Sequence, residues 1–322
     1  MKGRAVNFTS LAYFETLAHE RNFTRAAHKL HITQQSLSSA IAKLESELGC
    51  QLFVRHVPLE ITYAGKVLLR YARSFREEQA VMMHEFNDIS QNQQGVLRVG
   101  ATYTRGRVIM PDTIAAFQKR FPSIRINLIE DTNDALRRKL IEDDIDIAIA
   151  NFPQNIPGLA VEEFYREEVV ILVSRELLKS LYGDDVAERV KRFEEGEWSA
   201  LADCPLILNS ANDIGGHIER SVFKRAGIAS PRIMATSTNA ETLMALSLRG
   251  VGAFFCPETL ARAALSSDEL STLYVLRLGD YARYPIAFGY QQRSYQWSVI
   301  NAFIEVAREI TATTEHGSAP SA

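Results

Sequence analysis

Five uncharged hydrogen-bonding side chains, Gln34, Gln35, Ser36, Ser38 and Ser39, are crowded together in this 322-residue chain. A glutamine amide offers a donor beside an acceptor, the pair that an adenine edge answers in the major groove, and serine hydroxyls can meet bases or phosphates. Arg25, Lys43 and Arg55 flank the cluster, and their cations are suited to neutralising phosphates. A second set is scattered along the chain: Thr102, Tyr103 and Thr104, then Asn133, Asn151, Asn209 with Ser210, and Thr236 with Ser237. Each follows a short apolar run, and open α/β sheets take their ligands at the carboxyl ends of strands. Arg105 and Arg107 stand beside the first group, so the ligand expected there is small, polar and anionic. Asn212, Asp213, Gly215, Gly216 and His217 read either as a further ligand loop or as a glycine-rich start to a helix.

Other chemistries lack their residues. No GxSxG, phosphate-loop or HExxH pattern occurs, and of the seven histidines His217 and His316 alone lie beyond residue 92. An enzyme is therefore not expected. Cys50, Cys204 and Cys256 are far apart, with no histidine at ligand spacing, so buried inert thiols are expected rather than a disulfide framework, a metal site or another cofactor. The first residues lack the basic region, apolar run and cleavage site of a secretory signal. No stretch approaches the roughly 18 apolar residues of a membrane span. A cytoplasmic protein without a membrane partner is the expectation.

The elements that must hold the first cluster are helices. Leu11, Phe14, Leu17 and Ala18 recur at helical spacing after a cap at Asn7. Thr24 is placed to cap a short second helix over residues 25–30, and Thr33 a third that ends at Leu48 before Gly49. On the third helix Leu37, Ile41, Leu44 and Leu48 share one face, which leaves Gln35, Ser39, Ala42 and Ser46 opposite, with Lys43 at the edge. The tight turn between the second and third helices is what a helix-turn-helix requires. Residues 51–55 and 59–62 then read as two short strands about a tip at His56, Val57 and Pro58, a wing. Thr62 opens a long helix on which Leu68, Phe75, Met82 and Ile89 recur every seven residues, with Ala72, Gln79 and Phe86 between them. Such a seam packs against a second helix, most simply that of another subunit. Residues 1–92 carry 11 basic against 9 acidic side chains, a net +2, and the remaining 25 against 30 give −5.

After residues 92–95, NQQG, strands alternate with helices, which predicts a largely parallel sheet covered on its faces. Strands are expected at residues 96–100, 124–130, 144–150, 169–174, 205–209, 232–237, 251–256 and 286–292. Helices are expected at residues 108–120, 135–141, 218–225, 241–249 and 299–308. Two such runs suggest two linked lobes, and a small polar tail after Thr311 that is disordered.

With these elements in order, the sequence resembles the LysR-type transcriptional regulators over nearly its whole length. FTRAAHKLHITQQSLSSAIAKLESELGCQLFVR follows that family's helix-turn-helix pattern, ITYAG at residues 61–65 its approach to the linker helix, and TSTNAETLMALSLRGVGAFFCP a further landmark. The family often has Pro and Arg where this chain has Gln35 and Ser39, and basic wing residues where it has Val57, Pro58 and Glu60. Its DNA preference therefore does not carry over. The resemblance implies an α/β fold class with an N-terminal, helix-rich winged helix-turn-helix and a two-lobed effector domain like a periplasmic binding protein. The expected divisions are a DNA-binding domain at 1–62, a dimerising linker helix at 63–92, the effector domain at 93–312 and a tail at 313–322. The lobes are expected to cross near residues 164–168 and again near 276–283.

The expected partners are double-stranded DNA, a small-molecule effector and further copies of the chain as a homodimer or homotetramer. Two other readings stay open. One is a constitutive DNA-binding oligomer without a ligand; the other is a solute-binding protein, which would leave the first 92 residues unexplained.

Overall fold

The computed structural model describes residues 7–54, 59–90, 94–153, 155–209, 214–293 and 295–317, without the side chains of 214–215 and 313–317. They divide into two compact units, Met1–Asn92 and Gln93–Ala322.

Unit 1 starts with α1 (Phe8–Glu20), where the Asn7 side chain accepts from the Ser10 amide at 2.8 Å and Arg21 closes the helix in the left-handed region. Helix α2 (Phe23–Lys29) begins earlier than the sequence suggests. Asn22, in extended backbone, accepts from the Arg25 amide at 3.0 Å and takes the cap expected of Thr24. A turn with His31 at φ 54° leads to α3 (Gln34–Leu48), capped by Thr33 and stopped by Gly49 at φ 72°. The wing strands β1 (Phe53–Val54) and β2 (Glu60–Ile61) pair antiparallel, Phe53 opposite Ile61; the expected tip at residues 56–58 lies outside the described residues. Helix α4 (Tyr63–Ile89) follows.

Phe14, Leu17, Leu37, Ile41, Leu44, Leu52 and Phe53 form the core of this unit. The wing is fixed to α4 by backbone. Thr62 donates its amide to the Leu52 carbonyl at 2.9 Å and its hydroxyl to that of Gln51 at 2.8 Å. A Cβ on Gly65 would lie 2.3 Å from the Leu52 carbonyl oxygen, so only glycine permits this approach. Cys50, just past the helix stop, is exposed rather than buried, whereas Cys204 and Cys256 are buried as expected.

Unit 2 opens with β3 (Gly95–Ala101), α5 (Tyr103–Val108), α6 (Met110–Arg120), β4 (Ile124–Glu130), α7 (Asn133–Ile141) and β5 (Ile147–Ala150). The helix expected at 108–120 forms as α6, and a separate short helix, α5, precedes it. Pro111 supplies no N–H to a preceding carbonyl, and the backbone turns at Ile109. Strand β6 (Leu159–Ser174) is far longer than expected, and the chain then forms α8 (Arg175–Tyr182) and α9 (Val186–Glu194), which are not among the expected helices. Strand β7 (Leu206–Asn209), α10 (Ile214–Ala226), β8 (Ile233–Ser237), α11 (Ala240–Leu248), β9 (Ala253–Pro257), α12 (Glu258–Ala264), α13 (Ser267–Ser271) and β10 (Leu273–Arg277) build the second lobe. Strand β11 (Arg283–Gln291) and α14 (Ser298–Gly317) complete the chain. The backbone of residues 313–317 thus continues a helix instead of starting a disordered tail: no breaker precedes Gly317.

The strands join in the order β4-β3-β5-β11-β6-β9-β7-β8, with β10 also on β6. Parallel pairing is confined to β4-β3-β5 in the first lobe and β8-β7-β9 in the second. Strands β6 and β11 run antiparallel to their neighbours, which corrects the expectation of a largely parallel sheet. Residues 159–168 of β6 pair with β11 beside the first lobe, and residues 169–174 lie between β9 and β10 in the second. One strand therefore belongs to both lobes, and the crossing falls where the resemblance puts it.

Candidate functional site

Helix α3 owes its two faces to the placement of its apolar residues. Leu37, Ile41 and Leu44 are buried, while Gln34, Gln35, Ser36, Ser39 and Lys43 are exposed and Ser38 is half-buried. Some of these groups are already engaged. Thr24 donates to Gln34 Oε1 at 3.4 Å, and the Ser36 and Thr33 hydroxyls share a hydrogen bond of 2.8 Å. Gln35 and Ser39 make no side-chain hydrogen bond among the described residues. Lys43 stands 4.0 Å from Glu47 in an exposed pair of little strength. Arg25 turns toward Glu20, donating to its carbonyl at 2.5 Å. That acid, held below the usual carboxylate range chiefly by its hydrogen bond with Lys29, competes with any phosphate for Arg25. Arg55 lies outside the described residues.

In unit 2 the parallel strands bring Thr102, Asn133 and Asn151 to the carboxyl end of the first lobe's sheet, and Asn209 and Ser237 to that of the second. These two ends are tied together: Arg107 on α5 and Glu241 on α11 form an ion pair of 2.9 Å, both partners about half exposed. Thr102 precedes α5 but makes no capping hydrogen bond. Its oxygen accepts from Arg105 Nη1 at 3.0 Å, which leaves the hydroxyl proton to donate. Tyr103 is exposed and Thr104 half-buried.

The asparagines are partly spent on structure. Asn133 Oδ1 accepts from the Asn151 amide at 3.0 Å, and Asn151 Nδ2 donates to the Pro285 carbonyl at 2.8 Å. Thr236 is an exposed strand residue and the Ser237 hydroxyl accepts from the Asn239 amide at 3.1 Å. Ser210, Asn212 and Asp213 lie outside the described residues. Gly215 and Gly216 belong to the first turn of α10, and His217 on that helix is exposed.

Behind Thr102 sits a group the sequence does not reveal. Arg105, buried, donates through Nη2 to Glu167 Oε2 and to Tyr284 Oη at 3.2 Å. Tyr284 donates to Glu167 Oε2 at 2.7 Å, and Thr259 to Glu167 Oε1 at 2.5 Å. The cluster joins α5, both crossing strands and α12, and so links the two lobes. Burial works against the charge on Arg105, but the carboxylate of Glu167 outweighs it and holds the guanidinium charged. Burial, with Glu167 beside them, also pushes Tyr165 and Tyr284 well above the ordinary tyrosine range. Each tyrosine thus keeps its proton. The partners of this cluster are far apart in sequence, and no local spacing announces them.

A winged helix-turn-helix followed by a long helix, and a two-lobed α/β domain with polar loops at facing strand ends, define a DNA-binding regulator with a ligand-binding domain. Comparison with known proteins places it further. Residues 8–66 match the family model described as bacterial regulatory helix-turn-helix protein, lysR family, and residues 90–312 match the LysR substrate binding domain. The chain belongs to the LysR family of transcriptional regulators. It is 25% identical over 309 residues to the uncharacterized HTH-type transcriptional regulator YcgK of Bacillus subtilis (strain 168), covering 93% of each chain. It is likewise 25% identical over 303 residues to the HTH-type transcriptional regulator IlvY of Escherichia coli (strain K12), covering 94% of this chain and 98% of that one. Among solved structures, full-length CbnR in complex with its target DNA shares the fold. Its TM-score is 0.62 at 23% identity, covering 94% of this chain and 99% of that one.

Proposed function

We propose that α3 enters the major groove of double-stranded DNA and reads it principally through Gln35 and Ser39. The observation that carries this reading is that these two exposed side chains have no hydrogen-bond partner among the described residues and lie across the helix from buried Leu37, Ile41 and Leu44. Gln34, Ser36 and Ser38 support the contact from its margins, and Lys43, Arg25 and Arg55 meet phosphates. The protein works in the cytoplasm as a homo-oligomer joined along α4. Phe75, Met82, Phe86 and Ile89 of its seven-residue seam stand 47–71% exposed in the single chain.

The effector in this reading is a small polar molecule held between the strand ends of the two lobes. Thr102, Tyr103 and Thr104 face Asn209, Thr236 and Ser237 across it, and Asn133 and Asn151 shape the first wall. Pairing of both nearby arginines changes what an anionic ligand must do. Arg105 is committed to Glu167, so an incoming carboxylate has to displace Glu241 from Arg107 instead. Such an exchange would break the ion pair that ties the lobes and so change their relation.

The test is paired. Operator fragments are selected from genomic DNA with the full chain, and Gln35→Ala should weaken specific binding by about 1–3 kcal/mol without altering thermal stability. Unchanged operator affinity removes Gln35 as a reader. Metabolites suggested by the neighbouring genes are then titrated by calorimetry, where Thr102→Val should weaken binding about tenfold to a hundredfold if the ligand is charged. If no metabolite alters DNA binding, the constitutive reading replaces this one.

A further inference from the structure

Against the crossing strands lies a crevice of about 490 Å³, a size that suits a small metabolite. The antiparallel register explains its position. Arg166, Glu167 and Glu168 of β6 stand opposite Pro285, Tyr284 and Arg283 of β11. Because side chains alternate between faces, Glu167 and Tyr284 share one face with Arg105, and Arg166, Glu168 and Arg283 share the other. Arg277 at the end of β10, with Glu258, Thr259 and Arg262 on α12, completes the lining, which Glu167 also joins.

The charges of this crevice do not balance. Four arginines and three glutamates line it; Glu167 is already neutralised by Arg105 and Arg283 also meets Asp280 at 2.9 Å, which leaves four cations against three anions. Both Glu258 oxygens are taken: Arg277 donates to each at 2.6 Å, and Arg262 to Oε1 at 2.6 and 2.9 Å. Glu168 Oε2 faces Arg283 at 3.2 Å and Arg277 at 3.5 Å. Two valences remain. Glu168 Oε1 is buried without a hydrogen-bond donor, and the exposed Arg166 has no ion-pair or hydrogen-bond partner among the described residues. A buried carboxylate oxygen is ordinarily satisfied, so an orphan on a residue that lines a polar crevice marks a place where a donor belongs.

We propose that this crevice is a second small-molecule site, taking a dianionic carboxylic acid that also carries a hydroxyl or amino group. The two acid groups answer the lining arginines, the unpaired Arg166 first among them, and the hydroxyl or amino group donates to Glu168 Oε1. The occupant would touch β6, β10, β11 and α12 at once, and so bear on the joint between the lobes. The site shares no residue with the proposed effector loops and does not depend on them.

Calorimetry on the full-length chain tests it with L-malate and with succinate, which has the same two carboxylates and no hydroxyl. Malate should bind once per chain and about tenfold or more tighter than succinate. Arg166→Gln alters an exposed, unpaired side chain, so the fold is kept, and it should weaken malate about tenfold or more. Thr102→Val should leave malate binding as it was. Absence of saturable heat with either acid overturns the site, and so does Arg166→Gln binding as tightly as the parent. Equal affinity for the two acids overturns the role of Glu168. Loss of malate binding in Thr102→Val but not in Arg166→Gln assigns the heat to the effector loops and overturns the crevice.

Discussion

Glu167→Gln isolates the electrostatic part of the buried cluster, because the substitution keeps the side chain's shape and removes its charge. In the parent both sides of the pair are dry, with the Glu167 side chain 0% and that of Arg105 6% exposed. Removing one partner of a buried ion pair leaves the other charge uncompensated, a loss of about 3–5 kcal/mol. The amide also keeps one acceptor oxygen where the carboxylate served Arg105, Tyr284 and Thr259. For a domain whose total stability is on the order of 5–15 kcal/mol, this is a large fraction.

Arg105→Met with Glu167→Gln should recover much of the loss. No buried charge remains, Tyr284 can still donate to the amide oxygen, and the amide can donate to the Thr259 hydroxyl. Arg105 Nε, buried without a partner in the parent, also ceases to be a cost. Urea unfolding followed by tryptophan fluorescence reads the right unit, since the chain's two tryptophans, Trp198 and Trp297, both lie in it. A loss below about 1 kcal/mol for Glu167→Gln, or two single effects that simply add in the double variant, would refute the reasoning.

Phe75→Glu with Met82→Glu sets like charges along the α4 seam and should lower the oligomer's order in sedimentation; an unchanged mass rejects that seam as the interface. In the folded protein Cys50 should react with a thiol reagent at once. Cys204, whose thiol burial pushes up to about 12, and fully buried Cys256 should react only on unfolding, as thiol counting before and after urea would show. Glu258 gives a pH signature: burial, its largest influence, raises its pKa, but Arg277 and Arg262 together hold it below the usual carboxylate range. A depressed folded-state pKa stabilises above the unfolded value and loses that contribution as pH falls through the folded one. Glu258→Gln should therefore flatten the decline of unit 2 stability on the acid side of the ordinary carboxylate range, which urea midpoints against pH would measure.

Unit 1 was legible in the sequence because its contacts are local. Asn7, Thr33, Gly49 and Thr62 each announce a helix boundary by their own chemistry, and Leu37, Ile41 and Leu44 declare a buried face by spacing alone. Even so, Asn22 displaced Thr24 as a cap, since both residue types compete for the same amides. Unit 2 was legible as alternating strands and helices but not as a sheet. Nothing local to residues 159–174 or 283–291 records that those strands run against their neighbours or that one spans both lobes. The Arg105–Glu167 pair and the crevice behind it escaped for the same reason: they exist only once distant strands are in register. Among the expected ligand residues, Asn133 and Asn151 stand at strand ends as their positions suggested, yet the backbone of their own lobe uses much of their hydrogen-bonding capacity.

A strand shared by two bodies behaves as a torsion bar rather than as a loose strap. Stretching β6 breaks ladder hydrogen bonds with β11, β9 or β10, whereas paired strands keep their ladders over a range of twist angles. A counter-rotation of the lobes with β6 near its axis would accordingly disturb those ladders least. Displacement grows with distance from that axis, and the strands farthest from it in the sheet order are β4 and β8. A small angular change at the centre is thus largest where each lobe presents its outer edge to whatever lies beside it.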